Sequence, residues 1–328
     1  MNSRRRLTLR LAAVAAALTL TLAAGSALSQ QRLFFGIATG GTGGTYYPLG
    51  GMLAQLISNK AVVAGQKISA TAEAAGASVG NAKLLGNKEI ESAFVAADIL
   101  DAAYNGKGQF DKAPLKNLRA LGALYPETVQ LITRADSGIN SVRDLKGKSV
   151  SSGAPGSGQY QLLSDLLKVY GMARDDVKED LSSFTQAVDK IKDGNLHATL
   201  ITAGVPTAAV TDFAQSHALK VIALSGPEIT ELQKQQPYYA SVPLPANTYK
   251  GQTAAVPTLA VMAVWSTHDA VPEAVAYEVT KALYENVAIM GQVHVQGKNN
   301  ALATATAVGT VPLHPGALRY FTEKGIDT

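Results

Sequence analysis

Two glycine-rich loops, Gly40-Gly41-Thr42-Gly43-Gly44-Thr45 and Gly153-Ala154-Pro155-Gly156-Ser157-Gly158, are the segments of this sequence best suited to hold a ligand. Each lies between a short apolar run and a longer amphipathic one. Its N–H groups and hydroxyls therefore converge on an anion at the positive end of the helix that follows. Glycine matters there because a ligand approaches the main chain with no Cβ in the way. One such turn is ordinary in an α/β fold. A pair contributed by different domains aims two helix ends at one cleft and forms an anion clamp.

Other chemistries fit the residues less well. A Walker loop needs Lys and then Ser or Thr after its last glycine, whereas Gly44 is followed by Thr45 and Tyr46. The dinucleotide pattern can be traced through the same glycines, but the nearest acidic residue to close such a unit, Glu73, is a weak candidate. Ser157 lacks the glycine spacing of a nucleophile elbow. His197, His217, His268, His294 and His314 are scattered and form no close ligand pair, and the absence of cysteine removes thiolate ligands, cysteine nucleophiles and disulfides. The expectation is a protein that is not an enzyme and carries no metal and no cofactor. A secreted enzyme acting on a small anionic metabolite is the alternative, and a ligand sensor reporting to a membrane kinase is a further one.

Aromatic and acidic residues flank the loops. Tyr46 and Tyr47 point about 100° apart on a helix, so one ring can cover a ligand while the other enters the core. Tyr125 lies where the chain can cross between domains and reach the cleft. Glu127 either binds a ligand ammonium or pairs with a lysine, and Tyr238-Tyr239 reads as packing.

The elements that must position these residues follow from apolar periodicity. Leu33–Ala38 reads as the first strand, followed by a helix over 46–57. A strand over 68–72, a helix over 78–85 capped by Ser78, a strand over 92–95 and a helix over 98–104 complete three βα units. The stretch 118–134 is extended, interrupted at Tyr125-Pro126-Glu127, and long enough to pass between domains. A second βα series follows, with strands over 149–151, 197–202 and 219–224. Its helices are expected over 159–170, ended by Gly171, over 184–192, stopped by Gly194, and through Phe213. Pro237, Pro243, Pro245 and Pro257 make the segment between them mostly loop. A strand over 258–265 returns to the first domain, a helix spans 272–290, and Pro312-Leu313-His314-Pro315-Gly316 opens a last short helix. The alternation predicts an α/β fold of two βα domains joined by crossing strands, with the ligand cleft between them.

Composition agrees. The 328 residues are 47% hydrophobic and 16% charged, enough for a substantial core, and two domains follow at roughly 100–200 residues each. The net charge of +4 comes entirely from Arg4, Arg5, Arg6 and Arg10, since without them 25 Lys and Arg face 25 Asp and Glu. The remainder is neutral, so nucleic acid is not an expected partner. Those arginines precede an apolar run over 11–24, and Ala27-Leu28-Ser29 supplies small residues for cleavage before Gln30. The run falls short of the roughly 20 residues that span a bilayer. Residues 1–29 thus read as a removable secretory signal. Ser3-Arg4-Arg5-Arg6-Leu7 resembles a twin-arginine signal, although arginine runs also suit the general secretion route. With no cysteine to carry a lipid, the mature chain is expected free in the periplasm.

Several motifs in one order carry a family resemblance: Gly41-Thr42-Gly43-Gly44-Thr45-Tyr46-Tyr47-Pro48-Leu49-Gly50, Tyr104-Asn105-Gly106, Leu124-Tyr125-Pro126-Glu127, Arg134-Ala135-Asp136-Ser137-Gly138-Ile139, Gly153-Ala154-Pro155-Gly156-Ser157-Gly158, Ala203-Gly204-Val205-Pro206-Thr207 and Pro312-Leu313-His314-Pro315-Gly316-Ala317. Together, over nearly the whole mature chain, they resemble the TAXI family of extracytoplasmic solute receptors of TRAP transporters. The resemblance implies a hinge-bending solute-binding protein that captures a small anionic solute, such as glutamate, 2-oxoglutarate or another dicarboxylate, and delivers it to a TRAP membrane permease. It also implies lobes of 30–130 plus 258–328 and of 131–257. The ligand-binding residues it implies are Thr42, Gly43, Gly44, Thr45 and Tyr46, with Ser78 and Tyr125, then Pro155, Gly156, Ser157, Gly158 and Gln159, and finally Gly204 and Thr207. Two positions depart from the family pattern: Ala96 stands where Gln is frequent, and Gln159 where Thr is frequent.

Overall fold

The computed structural model describes residues 33–327, and the export signal expected at 1–29 lies outside them. The first βα series comprises β1 (Leu33–Ala38), α1 (Tyr46–Lys60), β2 (Val62–Val63), β3 (Gln66–Glu73), α2 (Ala77–Gly86), β4 (Ser92–Ala96) and α3 (Ala97–Asn105). A long strand, β5 (Leu118–Arg134), leads to β6 (Ser149–Ser151), α4 (Gln159–Val169), β7 (Lys178–Asp180), α5 (Phe184–Lys192), β8 (Ala198–Ala203) and α6 (Ala208–Ser216). Then come β9 (Leu219–Ile222), α7 (Pro227–Gln235), β10 (Ala240–Leu244), β11 (Val256–His268), α8 (Glu273–Tyr284), α9 (Val287–Val293) and α10 (Pro315–Glu323).

These strands form one mixed sheet in the order β2-β3-β1-β4-β11-β5-β8-β6-β7, with β10 on β11 and β9 on β5. Two antiparallel strands run through its middle. The first part of β5 pairs with the end of β11, from Leu118 opposite His268 to Ala123 opposite Val264, while its second part pairs with β8 and β9. The interruption expected at Tyr125-Pro126-Glu127 is an irregularity of pairing within a continuous strand. β5 takes an extra residue between the Ala123–Val264 and Pro126–Met262 pairs, and another next to Gly122. Such bulges bend a strand and raise its local twist, and here they separate the two parallel halves of the sheet.

Each half is covered by helices whose apolar faces match the sheet. Leu162, Leu163, Leu166 and Leu167 of α4 are buried as their spacing requires, each contributing about 1.5–3 kcal/mol relative to exposure. Phe35, Trp265, Tyr284, Tyr320 and Phe321 make an aromatic core under the first half, and Ile132, Val188, Ile201 and Phe213 fill the second.

Two expectations differ from the structure. Ser78 sits inside α2 rather than capping it, and its hydroxyl accepts the Ala96 N–H at 3.0 Å, so it anchors the start of the neighbouring helix instead. The helix expected over 272–290 breaks at Glu285-Asn286 into α8 and α9. Between Pro237 and Pro257 the chain is mostly loop, as expected, broken by the short strand β10, whose Pro243 faces Pro257. β10 bonds to β11 alone, and a strand edge tolerates a residue without an N–H.

Gly122, at φ +155, has the Tyr284 hydroxyl where a Cβ would stand, and that hydroxyl donates to the Ala123 carbonyl at 2.8 Å. Gly122→Ala is expected to cost about 1–3 kcal/mol by overpacking. The cost should read as a lower urea midpoint at constant m-value, and an unchanged midpoint would contradict this packing.

Candidate functional site

Both glycine loops leave the carboxyl ends of middle strands. β1 lies parallel between β3 and β4, and β6 lies parallel between β7 and β8. In open α/β sheets ligands bind outside such strand ends. The fully buried Asn81 fixes the first of them. Its Nδ2 donates to the Thr39 carbonyl at 2.9 Å and the Phe94 carbonyl at 2.8 Å, tying the end of β1 to β4.

The loops meet over a partly open cavity of about 60 Å³. A water needs about 10–15 Å³ on the same measure, so the space takes a handful of water-sized groups and suits a compact metabolite, not a polymer. Its walls include the N-terminal residues of five helices: Tyr46 of α1, Ala77 and Ser78 of α2, Asp98 of α3, Gln159 of α4 and Phe184 of α5. Each such end carries a partial positive charge, although the Gly156 carbonyl already takes the Val79 and Gly80 N–H groups of α2 and Ser183 takes the Gln186 N–H of α5. Gly41, Gly44, Ala77 and Phe184 also border an adjoining cleft of about 290 Å³, lined in addition by Thr42, Gly43 and Ser157, which forms an outer vestibule.

The floor of the cavity comes from the crossing strands. Glu127 of β5 pairs with Val261 of β11, and both line the cavity. Glu127 is 4% exposed and accepts a hydrogen bond from the Tyr46 hydroxyl at 2.7 Å. Asp98 accepts one from the Tyr239 hydroxyl at 2.7 Å, while its Oδ1 is buried with no partner among the described residues. The Gln159 Oε1 is likewise unpartnered, its Nε2 being turned to the Thr202 carbonyl. Among the described residues no Lys, Arg or His lines the cavity. Burial, opposed only in part by the Tyr46 hydrogen bond and reinforced by Asp98, pushes the Glu127 carboxyl up to about 8. Burial raises Asp98 as well, and holds the Tyr46, Tyr125 and Tyr239 hydroxyls neutral.

Of the residues singled out in the sequence, Gly44, Thr45, Tyr46, Ser78, Gly158 and Gln159 line the inner cavity, while Thr42, Gly43 and Ser157 line the vestibule. The others hold the walls. The Gly156 carbonyl accepts the Val79 and Gly80 N–H groups at the start of α2, at 2.9 and 3.0 Å, so the second loop caps that helix. Pro155 belongs to the same loop, and its carbonyl lies against Gly76. Gly204 accepts the Thr45 hydroxyl at 2.9 Å, and a Cβ there would strike the Thr45 side chain. Thr207 donates to the Gly204 carbonyl and accepts from Gln130, both at 2.9 Å. Tyr125 is fully buried in the aromatic core behind Glu127. Thr45, Ser157 and Thr207 therefore direct their hydroxyl protons to backbone carbonyls rather than to the cavity.

Glu127 pairs with Tyr46 rather than with a lysine. Asp98, Phe184 and Tyr239 were not read from the sequence as lining residues. Asp98, at the N-terminus of a helix after a strand, carried a positional signal; Phe184 and Tyr239 reach the cavity by tertiary packing alone. Tyr239 both packs in the core, as expected of it, and borders the cavity.

The fold is that of the two-lobed periplasmic binding proteins. The structure is similar to that of the periplasmic binding protein BugD, at 12% identity and a TM-score of 0.55 over 90% of this chain and 94% of that one. A protein of Bordetella bronchiseptica RB50 is similar at 14% identity and a TM-score of 0.51, over 89% of each chain. The model of the NMT1-like family matches residues 37–325, and the chain belongs to that family.

The Glu127 carboxyl, ordinarily at 4.5, holds its proton up to about 8 in the folded chain. Between those values the unfolded chain has lost a proton that the folded one keeps, so stability falls as pH rises through that window. Glu127→Gln is expected to flatten the decline and raise the melting temperature near pH 8, with Asp98 leaving a residual slope. Parallel melting curves of wild type and variant from pH 5 to 8 would argue against a buried, cation-free Glu127.

Proposed function

We propose that this chain is an extracytoplasmic solute receptor of a TRAP-type secondary transporter, of the TAXI family, which captures a small acidic solute such as glutamate or 2-oxoglutarate and delivers it to a membrane permease. The observation that carries this reading is the convergence of five helix N-termini on one cavity. Fixed N–H groups stabilise a carboxylate without a cationic side chain. Membership of the NMT1-like family, the fold shared with BugD and the export signal read at 1–29 support a periplasmic receptor. Gly44, Thr45, Tyr46, Ser78, Gly158 and Gln159 contact the solute in this reading. Thr42, Gly43 and Ser157 line its approach, while Tyr125, Pro155, Gly156, Gly204 and Thr207 keep the walls in place.

Residues 30–130 with 258–328 make one lobe and 131–257 the other, hinged where β5 and β11 cross. The bonds from Thr45 to Gly204, from the Val79 and Gly80 N–H groups to Gly156, from the Ala209 N–H to Gly43 and from Tyr239 to Asp98 then join opposite lobes. Opening breaks them. A bound solute shifts the population toward the closed form to the extent that it binds that form better.

Acidic metabolites added to the mature protein are expected to raise its melting temperature, a gain of roughly 2.7 kcal/mol at a hundred times Kd. X-ray scattering should show a smaller radius of gyration with the solute bound. A panel of amino-, oxo- and dicarboxylic acids that moves neither quantity would sink the reading.

A further inference from the structure

The inner cavity and the vestibule share four lining residues, Gly41, Gly44, Ala77 and Phe184. Three of them carry at most a methyl group, so among the four the Phe184 ring alone is large enough to divide the two spaces. Its place is fixed from two sides. Behind it, Ser183 and Gln186 close a capping box at the start of α5, the Ser183 N–H donating to the Gln186 Oε1 at 3.0 Å and the Ser183 Oγ accepting the Gln186 N–H at 3.4 Å. The ring itself packs on the apolar core of the second half. In front, the first glycine loop runs against the same helical turn: a Cβ on Gly43 would strike the Thr185 hydroxyl, and one on Gly44 would touch the Phe184 ring. With the lobes proposed above, Phe184 comes from one and the three small residues from the other, so this border forms only when the cleft is closed.

The spaces on the two sides of the ring differ in size and in chemistry. The inner cavity, about 60 Å³, is bordered by Glu127, Asp98 and helix N-termini. The vestibule, about 290 Å³, is lined by small and hydroxyl-bearing residues, Ala75, Ala154, Thr42 and Ser157 among them, and by no charged side chain among the described residues. Nothing in that lining repels a methylene chain; the obstacle to one is the ring. Resting on the receptor reading above, we infer that Phe184 is a specificity-determining residue, whose ring separates the inner cavity from the vestibule in the closed form and thereby selects solutes by length. A solute that fits the inner cavity lets the ring seat against Gly44 and the lobes close. A longer one must push the ring off the core or hold the lobes apart, and either costs affinity as overpacking does. The discrimination comes from a steric obstacle to the wrong solute, not from a better contact to the right one.

Titration calorimetry of the mature protein with homologous acids of increasing length tests this: glutarate, adipate and suberate, their 2-oxo acids and their L-2-amino acids. In whichever set binds, the suberate-length acid should bind wild type at least about tenfold more weakly than the glutarate-length acid. In Phe184→Ala that ratio should shrink to about threefold or less, the long acid gaining in absolute affinity as its chain runs on into the vestibule. Phe184→Leu, which keeps an apolar side chain on the core, should give a ratio between the two and carries the test if the alanine variant does not fold. No length penalty in wild type, or an unchanged ratio in a folded variant, would overturn the sieve and leave the receptor reading standing. If only the variants bind, and only the long acids, the sieve stands and the short acidic solute is removed from the receptor reading. Failure of every acid to bind any of these proteins would defeat both.

Discussion

The antiparallel pairing of β5 with β11 is the constraint on which the rest of the molecule depends. The two strands form the only stretch of the described sheet in which one continuous ladder serves both parallel halves. The bulges of β5, at Leu121 and between Ala123 and Pro126, bend and twist it where the two halves meet, next to the ends of β1 and β6. The same ladder puts Glu127 and Val261 side by side at the base of the cavity. A register slip by one residue would reverse every side chain along β5 and send Glu127 to the opposite face.

Around that floor the fold spends stability on polarity. Glu127 is nearly inaccessible and has one phenol for a partner, an arrangement less stable than an apolar residue of the same shape. Natural folds depart from local stability rules mainly where a ligand makes up the difference. The helix ends offset part of the cost, because their N–H groups face the same space with opposite sign. The result is a small volume with helix N-termini in its walls and a buried carboxyl, Glu127, at its base.

How much of this could be read in advance differs between loops and walls. The glycine runs, and the helices that follow them, were legible because φ-permissive residues followed by amphipathic repeats leave little choice of local structure. The α5 helix spans the residues its periodicity indicated, and Ser183 caps it through Gln186. Ser78 was misread as a cap because its hydroxyl looks local in sequence, yet its partner is the Ala96 N–H on another strand end. The break at Glu285-Asn286 was invisible because apolar residues continue in helical spacing on both sides. Tyr239 read as packing because nothing in a proline-rich segment tells which face of a distant helix it will touch.

The sequence by itself determined the α/β alternation, the two glycine loops at helix starts, the neutral balance of the chain after its four leading arginines, and the absence of any thiol chemistry. These follow from local sterics, periodicity and counting, which need no knowledge of distant residues. Only the tertiary structure decided that Gly156 caps a helix instead of facing the cavity, that Tyr125 lies behind Glu127, and that Asp98, Glu127 and Gln159 line one cavity. Those placements depend on strand register and on contacts between residues far apart in the chain, and electrostatic character is a property of what surrounds a group, not of the group alone.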